Sequence, residues 1–320
     1  HGVYLASGGG QVTDSKMTFV KCGGYIDRSS GSIYRSESCY NTNSAGSSAS
    51  AGIDFGYNGG TLVNCLIHHN CNMSGGDGLY GSGAGIHLTG GSATIRNCTI
   101  AYNTKIGGKG GGIYIGTYGD PSIKNCIFYE NKAPSADDDH QDWGCNDAGD
   151  GSLFGNCLFS STAPNGTCWT GKADFVNDQI GDYRLLPGSE GIDGGSSFST
   201  QGTEVDFFGN PRLTGEAVDL GYSEYDPDRD YRSRVIVDGD PAMIGAVDPI
   251  YGWDVNVTTG TEKTYRAPED WENDAETSKA KLLGWTLVCE DGTVDSGDGN
   301  VKTLTYAQPC TLTWRWDASN

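Results

Sequence analysis

Hydrophobic positions in the first half of the chain recur in short alternating runs that Gly- and Asn-rich turns separate. In the run 113–115, alternation with a period of two predicts that both Ile side chains point inward and Tyr114 points outward. The same run opens at Gly52, Gly85 and Gly112, and in degenerate form at Gly2 and Gly24. The pattern therefore predicts a repeat of short β-strands with loops of variable length between them.

One such repeat is too short to bury its apolar face, so we expect the copies to stack into a solenoid. Equivalent positions of successive coils would then lie about 4.8 Å apart in axial rows. Three rows are expected to face inward: Ile95 and Ile123; Cys65, Cys98, Cys126 and Cys157; and Ile67, Ile100, Phe128 and Phe159. A fourth row, Asn70, Asn103 and Asn131, is expected at a turn, where side-chain amides satisfy backbone groups left unpaired by the bend.

The predicted fold class is all-β, with a right-handed parallel β-helix followed by a small β-sandwich-like domain. We place the β-helix and its closing segment at residues 1–225, with the stacked coils ending at about residue 195, a polar linker at 226–244 and the second domain at 245–320. Past the linker, alternating β-type runs replace the repeat, as in 253–257 and 311–316.

Two groups of motifs resemble those of known families. The Gly-Gly-x-Ile strand at 111–114 with the Phe-x-x-Asn turn at 128–131 resembles the repeats of chlamydial polymorphic outer membrane proteins and of bacterial right-handed β-helix surface proteins. The stretch 182–225, with 191–195 and 209–212, is similar to the closing segment of bacterial "choice-of-anchor" β-helix proteins. The resemblance implies this fold and an extracellular location. It implies no particular activity, because the fold hosts adhesins, lyases and hydrolases.

Composition and charge narrow the classes of partner. The chain has 36% hydrophobic residues and 50 Gly, which favours a thin, turn-rich architecture. Lys and Arg number 21 against 41 Asp and Glu, for a net charge of -20, which argues against nucleic acids and anionic membranes as partners. No run of about 18 apolar residues is present in the sequence, so we expect no membrane insertion of this chain.

The cysteines divide by their place in the repeat. Those of the inward row are expected to be reduced and buried, because parallel side chains on adjacent coils suit disulfide geometry poorly. Two disulfides are predicted, Cys289 with Cys310 and Cys145 with Cys168, and two of Cys22, Cys39 and Cys71 are candidates for a third. A metal site at these cysteines is disfavoured, since the sequence has no Cys-x-x-Cys and its five His do not cluster with them.

Aligning the leading strands places Tyr4, Asp54, His87 and Tyr114 at one outward position. A carboxylate, an imidazole and a phenol on adjacent coils would suit proton transfer on a sugar ring, with Tyr4 or Tyr114 as a stacking platform. These residues are the catalytic and ligand-binding candidates. The alternative is that they are ordinary outward β positions, which tolerate polar and aromatic residues without any substrate.

Two further clusters carry candidate chemistry. The loop with Asp137, Asp138, Asp139 and Asp142 is dense in carboxylates, so Ca²⁺ is a candidate cofactor there, although a solvated surface loop is the favoured interpretation. A second outward cluster lies beside the Asn turn and contains His68, His69, Tyr102 and Glu130.

Three classes of function therefore remain open. The first is an extracellular or cell-surface scaffold of adhesin type, whose partners are polysaccharides or copies of itself. Because the sequence opens inside a repeat, we expect either upstream sequence or a second copy to cover the first coil, for example through Trp314 and Trp316. The alternatives are a carbohydrate-active enzyme, a polysaccharide lyase or glycoside hydrolase, and a carbohydrate-binding protein, which would need a row of exposed aromatic side chains.

Overall fold

The computed structural model describes residues 1–6, 9–26, 31–43, 50–57, 59–73, 83–134, 141–145, 151–178, 181–196, 205–226, 235–241, 243–249, 251–254, 260, 262–272 and 279–318. The chain divides into two compact units. The first consists of His1–Phe175 and Tyr183–Asp226, and the second of Val176–Asp182 and Pro227–Asn320. Within the described ranges, no helix is long and apolar enough to cross a membrane.

The first unit is the predicted parallel β-helix, in which six successive coils each contribute one short strand to each of three faces and a seventh strand extends the third face. Face 1 contains β1 (Val3–Leu5), β4 (Gly24–Ile26), β8 (Ile53–Phe55), β12 (Ile86–Gly91), β16 (Ile113–Gly119) and β19 (Trp143–Cys145). Face 2 contains β2 (Gln11–Thr13), β5 (Ser32–Tyr34), β9 (Gly60–Val63), β13 (Ala93–Arg96), β17 (Ser122–Lys124) and β20 (Phe154–Gly155). Face 3 contains β3 (Lys16–Thr18), β6 (Glu37–Cys39), β10 (Leu66–His68), β14 (Thr99–Ala101), β18 (Ile127–Tyr129), β21 (Leu158–Phe159) and β22 (Trp169–Thr170). A corner ladder after face 3 contains β7 (Thr42–Asn43), β11 (Cys71–Asn72) and β15 (Thr104–Lys105).

The interior of the β-helix consists of the predicted axial rows. Ile95 pairs with Ile123 in register on face 2, and both are fully buried. On face 3 the row of Ile67, Ile100, Phe128 and Phe159 is also buried, and its last two rings stack at 4.8 Å. The four predicted cysteines are buried in one core cluster with these residues. The predicted register and inward rows are therefore confirmed.

The cysteine row continues one coil beyond the prediction, to Cys168. Leu158 pairs with Trp169, so the preceding residues, Cys157 and Cys168, lie on adjacent coils. Cys168 and Cys145 are both free, and the predicted disulfide between them is wrong. The reason is positional, because Cys145 ends a strand of face 1 whereas Cys168 precedes a strand of face 3. The candidates for a third disulfide, Cys22, Cys39 and Cys71, are free as well.

A buried asparagine ladder turns each coil after face 3. The predicted members Asn70, Asn103 and Asn131 are confirmed, and the ladder begins one coil earlier, at Asn41. The Nδ2 of each asparagine donates to the Oδ1 of the next at 2.9 Å, and the backbone N–H donates to the same oxygen at 3.0 to 3.2 Å. This pattern needs an acceptor at its far end.

Asp142 is that acceptor, which corrects its prediction as a calcium ligand. Its Oδ1 accepts from Nδ2 of Asn131 at 2.9 Å, and its Oδ2 accepts from N and Oγ of Ser161 and from Oγ of Ser160. The carboxylate is fully buried, and protein donors surround both of its oxygens. The other calcium candidates, Asp137, Asp138 and Asp139, lie outside the described residues.

The closing segment packs over the outside of face 3. Its apolar side chains form a second core cluster with outward residues of the coils. Where it begins, β23 (Phe175–Asn177) pairs with β24 (Asp182–Leu185) in a two-stranded sheet. The outward residues of this cluster include Leu66, Ala101, Ile127 and Leu158, and the covering residues include Tyr183, Leu185, Leu220 and Tyr222. Face 3 is therefore buried on both sides along its later coils.

A buried polar cluster organises the end of this segment around Arg212. The Nη2 of Arg212 donates to the carbonyls of Asp219 at 2.8 Å and Gly221 at 2.5 Å, and its Nε lies 3.7 Å from Oε2 of Glu224. The carboxylate of Asp206 accepts backbone hydrogen bonds from Phe208, Asn210 and Glu224. Burial raises the pKa of Glu224 to about 8; the guanidinium of Arg212 opposes this shift and Asp219 adds to it.

The second unit is built on a mixed sheet. In order across the sheet, the strands are β26 (Gly252–Asp254), β25 (Val235–Asp240), β32 (Cys310–Asp317), β29 (Lys279–Cys289) and β28 (Asp270–Glu272), and β30 (Val294–Gly297) also pairs with β29. A two-stranded antiparallel sheet of β27 (Glu262–Arg266) and β31 (Val301–Thr305) contributes to the same apolar core. The predicted disulfide joins Cys289 and Cys310, which are paired in register on β29 and β32.

Two expectations for this region are wrong. Residues 235–240, placed in the linker, form β25, which pairs in parallel with β32. Trp314 and Trp316, expected to reach another subunit, are buried in the core of this unit, because they alternate inward along β32 with Leu312.

Asp142→Asn should destabilise the protein, because it replaces one acceptor oxygen of the carboxylate with an NH₂ group. This NH₂ group is itself a donor and would face a donor of Asn131 or Ser161. We expect a loss of about 1 to 3 kcal/mol in the free energy of unfolding, measured by urea denaturation. Asp120→Asn, at an exposed position, is the control and should change little. Equal stability of the two variants would contradict the role of Asp142 as the end of the ladder.

Glu224→Gln should flatten the dependence of stability on pH. The pKa of Glu224 is raised in the folded state from 4.5 to about 8, so its stabilising contribution is full below 4.5 and is lost as the pH rises through 8. The free energy of unfolding of the wild type should therefore fall by a few kcal/mol more than that of the variant over this window, since one pKa unit corresponds to about 1.4 kcal/mol. Glu216→Gln, exposed in the same segment, should behave as the wild type. Parallel profiles for wild type and Glu224→Gln would refute the assignment.

Candidate functional site

The first candidate site is the row of Tyr4, Asp54, His87 and Tyr114 on face 1. Its register is confirmed: Tyr4 pairs with Tyr25, Tyr25 with Asp54, Asp54 with His87, and His87 with Tyr114. The expectation that the whole row is open to solvent is wrong. Asp54 and His87 are each 1% exposed and Tyr114 is 3% exposed, whereas Tyr4 is 51% exposed.

Chain segments that precede the leading strands cover this row. The backbone N–H of Ser50 donates to Oδ2 of Asp54 at 2.8 Å, and the same oxygen lies 3.1 Å from Nδ1 of His87. Backbone at Gly83 and Gly110 passes so close to Tyr114 that an added Cβ would lie 3.2 and 3.1 Å from the Cβ of Tyr114. Asp54 and His87 therefore form a buried pair, and the part of the row open to a polysaccharide is limited to Tyr4 and its stacked neighbour Tyr25.

A second row lies at the corner between face 3 and the asparagine ladder. Phe19, Tyr40, His69 and Tyr102, here called the aromatic row, each follow directly after a face 3 strand. Consecutive ring centroids lie 5.9, 5.1 and 5.3 Å apart, and the rings are within 22° of parallel. Phe19 is 81% exposed and Tyr40 is 40% exposed, while His69 and Tyr102 are partly exposed. Four stacked rings therefore line one edge of the β-helix.

The aromatic row adopts a backbone conformation that bulky side chains disfavour. Its four members have φ between 52° and 55°, in the left-handed region. The equivalent corner between faces 2 and 3 mostly carries asparagine, at Asn64, Asn97, Asn125 and Asn156. Asparagine tolerates this region well, whereas a bulky residue is strained there by about 1 kcal/mol or more. Ring stacking, at about 0.5 to 1.5 kcal/mol per pair, offsets this strain.

A polar cluster lies beside the row on the outside of face 3. Glu37 lies at its centre, with its Oε1 2.8 Å from Nε2 of His68 and 3.0 Å from Nζ of Lys16. Burial alone would raise the pKa of Glu37, but the hydrogen bond to His68 and the electrostatic attraction of the His68 imidazole and the Lys16 ammonium lower it to about 2. Burial raises the pKa of the neighbouring Cys39 thiol to about 12, and the carboxylate of Glu37 adds to this rise.

The closing segment borders this cluster. The ring of Tyr183 contacts that of His68 edge to face at 5.3 Å, and the Tyr183 hydroxyl lies 3.4 Å from Nδ1 of His69. The ring of Tyr40 contacts His68 from the other side at 5.5 Å. His68 is consequently held among three aromatic neighbours, one of which is His69.

The second cluster in the sequence prediction, His68, His69, Tyr102 and Glu130, is only partly one site. His69 and Tyr102 belong to the aromatic row, whereas His68 points to Glu37 on the adjacent strand. Glu130 follows β18 at the same corner and is exposed, but it brings no ring to the row.

Sequence reasoning missed Phe19 and Tyr40 as members of the row. A signal was present, because Tyr40, His69 and Tyr102 each directly precede a ladder asparagine. Phe19 lacks that signal, since Val20 follows it. The expectation that no His clusters with the cysteines is also wrong. Ligand atoms of Glu37, Cys39 and His68 all lie within 4.8 Å of one another.

Comparisons with known proteins bear on the fold alone. The family model described as "Right handed beta helix region" matches residues 1–180, which is more than half of the 320-residue chain. Comparison with curated proteins and with solved structures found no match.

Replacement of Tyr40 should separate the backbone strain of the row from its stacking. Tyr40→Asn removes the ring but suits the left-handed backbone, whereas Tyr40→Ala removes the ring and keeps the strain. We expect the Asn variant to be more stable than the Ala variant by about 1 kcal/mol in urea denaturation. The same pair of substitutions at Tyr118, which is exposed on β16 without a positive φ, should show no advantage for Asn. An equal difference at both positions would contradict strain in the row.

Proposed function

Because the chain belongs to the right-handed β-helix family, we propose that it is an extracellular scaffold of adhesin type that binds a polysaccharide along the aromatic row. The observation that carries the proposal is the stack of Phe19, Tyr40, His69 and Tyr102 on consecutive coils. The exposed parts of these rings, largest at Phe19 at the end of the stack, offer a continuous apolar surface to the apolar faces of sugar rings. The resemblance of the repeats to those of bacterial β-helix surface proteins also supports a scaffold role.

Binding is favoured over turnover by the burial of the candidate catalytic groups. Asp54 and His87 hydrogen-bond to each other under the segment that contains Ser50. A glycosidase needs two carboxylates about 5 to 9.5 Å apart on either side of its substrate. Glu37, which lies beside the aromatic row, is already engaged by His68 and Lys16. These contacts support a binding surface rather than a pair of catalytic acids.

The extracellular location is supported by the chemistry of the cysteines. The disulfide between Cys289 and Cys310 is suited to an oxidising compartment. The free cysteines of the inward row are fully buried in the β-helix, where oxidants do not reach them. An oxidised second unit and a reduced solenoid interior are therefore compatible within one secreted chain.

The strong negative charge bears on the class of polysaccharide. A net charge of -20 repels polyanions such as polyuronates, most strongly at low ionic strength. Stacking on aromatic rings needs no charge on the sugar. We therefore propose a neutral polysaccharide as the ligand.

The test is affinity electrophoresis of the full chain in gels that contain neutral or uronic acid polysaccharides. The wild type should be retarded by a neutral polysaccharide, and each of Tyr40→Asn and His69→Asn should weaken binding about 3- to 10-fold, the share of one ring. Asparagine is chosen because it keeps the backbone of the row unstrained.

The matched controls are Tyr57→Asn and Tyr118→Asn, which remove exposed tyrosines elsewhere on the same unit. They should bind as the wild type does. The proposal fails if no neutral polysaccharide in the panel retards the wild type, or if the control variants lose as much affinity as Tyr40→Asn.

A further inference from the structure

The cluster of Glu37, Cys39 and His68 combines three kinds of metal-ligating side chain on two adjacent strands. Cys39 pairs with His68 in register between β6 and β10, and Glu37 precedes Cys39 by two residues on the same outward side of the strand. Their carboxylate oxygen, thiol sulfur and imidazole nitrogen all lie within 4.8 Å of one another. Among the described residues, this is the group of three His, Cys, Asp or Glu side chains whose ligand atoms lie close enough together to share a metal ion.

The arrangement does not suit a cysteine nucleophile. A catalytic thiol needs a hydrogen bond to an imidazole nitrogen that can remove its proton. Both nitrogens of His68 are engaged elsewhere, Nε2 with Glu37 at 2.8 Å and Nδ1 with Nδ1 of His69 at 2.9 Å. The thiol of Cys39 instead has Oγ1 of Thr18 as its neighbour at 3.7 Å.

The same contacts suit a metal ligand. A metal-binding histidine usually carries a hydrogen bond on its second ring nitrogen, which fixes the orientation of the ring. His69 supplies that contact to His68, and the hydroxyl of Tyr183 in turn lies 3.4 Å from His69. The strands that carry the three side chains are paired on both sides within face 3, so the backbone of the site is rigid.

We propose that Glu37, Cys39 and His68 bind a zinc ion. Zinc takes nitrogen, sulfur and oxygen ligands, commonly three from the protein with a fourth position open, whereas calcium and magnesium prefer oxygen alone. The ion replaces the proton on Nε2 of His68 and the proton of the thiol. Ligands around tetrahedral zinc lie about 3.3 to 3.8 Å apart. The oxygen of Glu37 and Nε2 of His68, which are 2.8 Å apart, therefore need to separate by about 0.5 Å, and the thiol of Cys39 needs to approach them by at most about 1.5 Å.

The site is reached from the side of Glu37. Cys39 and His68 are buried, while Glu37 is partly exposed and Lys16 is exposed. The ammonium of Lys16 lies 3.0 Å from the carboxylate oxygen and competes with a cation for it. This competition provides a variant, Lys16→Met, that should strengthen binding rather than weaken it. The inference is independent of saccharide binding by the aromatic row.

The experiment is a titration of the full chain with Co²⁺, followed by displacement with Zn²⁺. Cobalt bound to a thiolate gives a charge-transfer absorption band in the near ultraviolet, which carboxylates and imidazoles alone do not give. The wild type should develop this band, and Zn²⁺ should abolish it. The band should disappear in Cys39→Ala, and His68→Gln should weaken binding at least about 100-fold, since even loss of an outer contact costs 10- to 100-fold.

The controls use the other partly exposed thiols and the competing lysine. Cys71→Ala and Cys145→Ala should keep the band, and Lys16→Met should bind about 2- to 5-fold more tightly, the share of one exposed ion pair. Near-ultraviolet circular dichroism checks that each variant is folded, and if Cys39→Ala is not, His68→Gln and Lys16→Met still decide. The inference is overturned if the folded wild type shows no band at saturating Co²⁺, or if the band persists in Cys39→Ala.

Discussion

The hydrogen bonds between corner asparagines are the constraint on which the rest of the β-helix depends. The side-chain amides are buried, and those of Asn70 and Asn103 each accept from the asparagine of the preceding coil and donate to that of the next. At the two ends, Asn41 accepts from the backbone N–H of Val20 and Asn131 donates to Asp142. A buried amide without partners costs free energy comparable to a lost hydrogen bond, so a coil that slips in register against its neighbour is heavily penalised. The ladder thereby holds the residues before it, Tyr40, His69 and Tyr102, one above another. Loops of different lengths are tolerated because the coils meet at this corner regardless of them.

Equivalent positions of successive coils lie one above another, and for this reason both the face 1 row and the aromatic row run along the axis of the β-helix. On face 3, the closing segment covers the later coils with apolar side chains and borders the Glu37 cluster at Tyr183. The polar residues of the first coils, such as Lys16 and Glu37, occupy the row that continues as Leu66, Thr99 and Ile127. The change from polar to apolar along this row coincides with the start of the covering segment.

The inward rows of the fold were predictable because alternation and the constant spacing within each repeat determine them locally. Ile95 over Ile123 needs only the period of the strand and the alignment of two copies. Cys168 was not predictable in this way, since β22 belongs to a coil without a recognisable repeat motif. The strand β25 was missed for a related reason, because its partner β32 is distant in sequence.

The exposure of the candidate site residues to solvent was harder to predict from the sequence than their register. Alternation predicts that the side chains of Asp54 and His87 point outward from face 1. It does not predict that the backbone at Ser50 and Gly83 covers this row. Conversely, the left-handed conformation at Tyr40 and His69 follows from the coil geometry rather than from their own preference. Glu37 and His68 meet across coils, and pairing of this kind appears only once the register between β6 and β10 is known.

The most direct measurement of the central claim is a crystal structure of the full chain with an oligosaccharide of the neutral polysaccharide that binds it. The account predicts electron density for sugar rings against Tyr40 and His69, running along the stack toward Phe19 or Tyr102. Density confined to Tyr57, to Tyr118 or to the side of face 1 that carries Tyr4 and Tyr25 would contradict it.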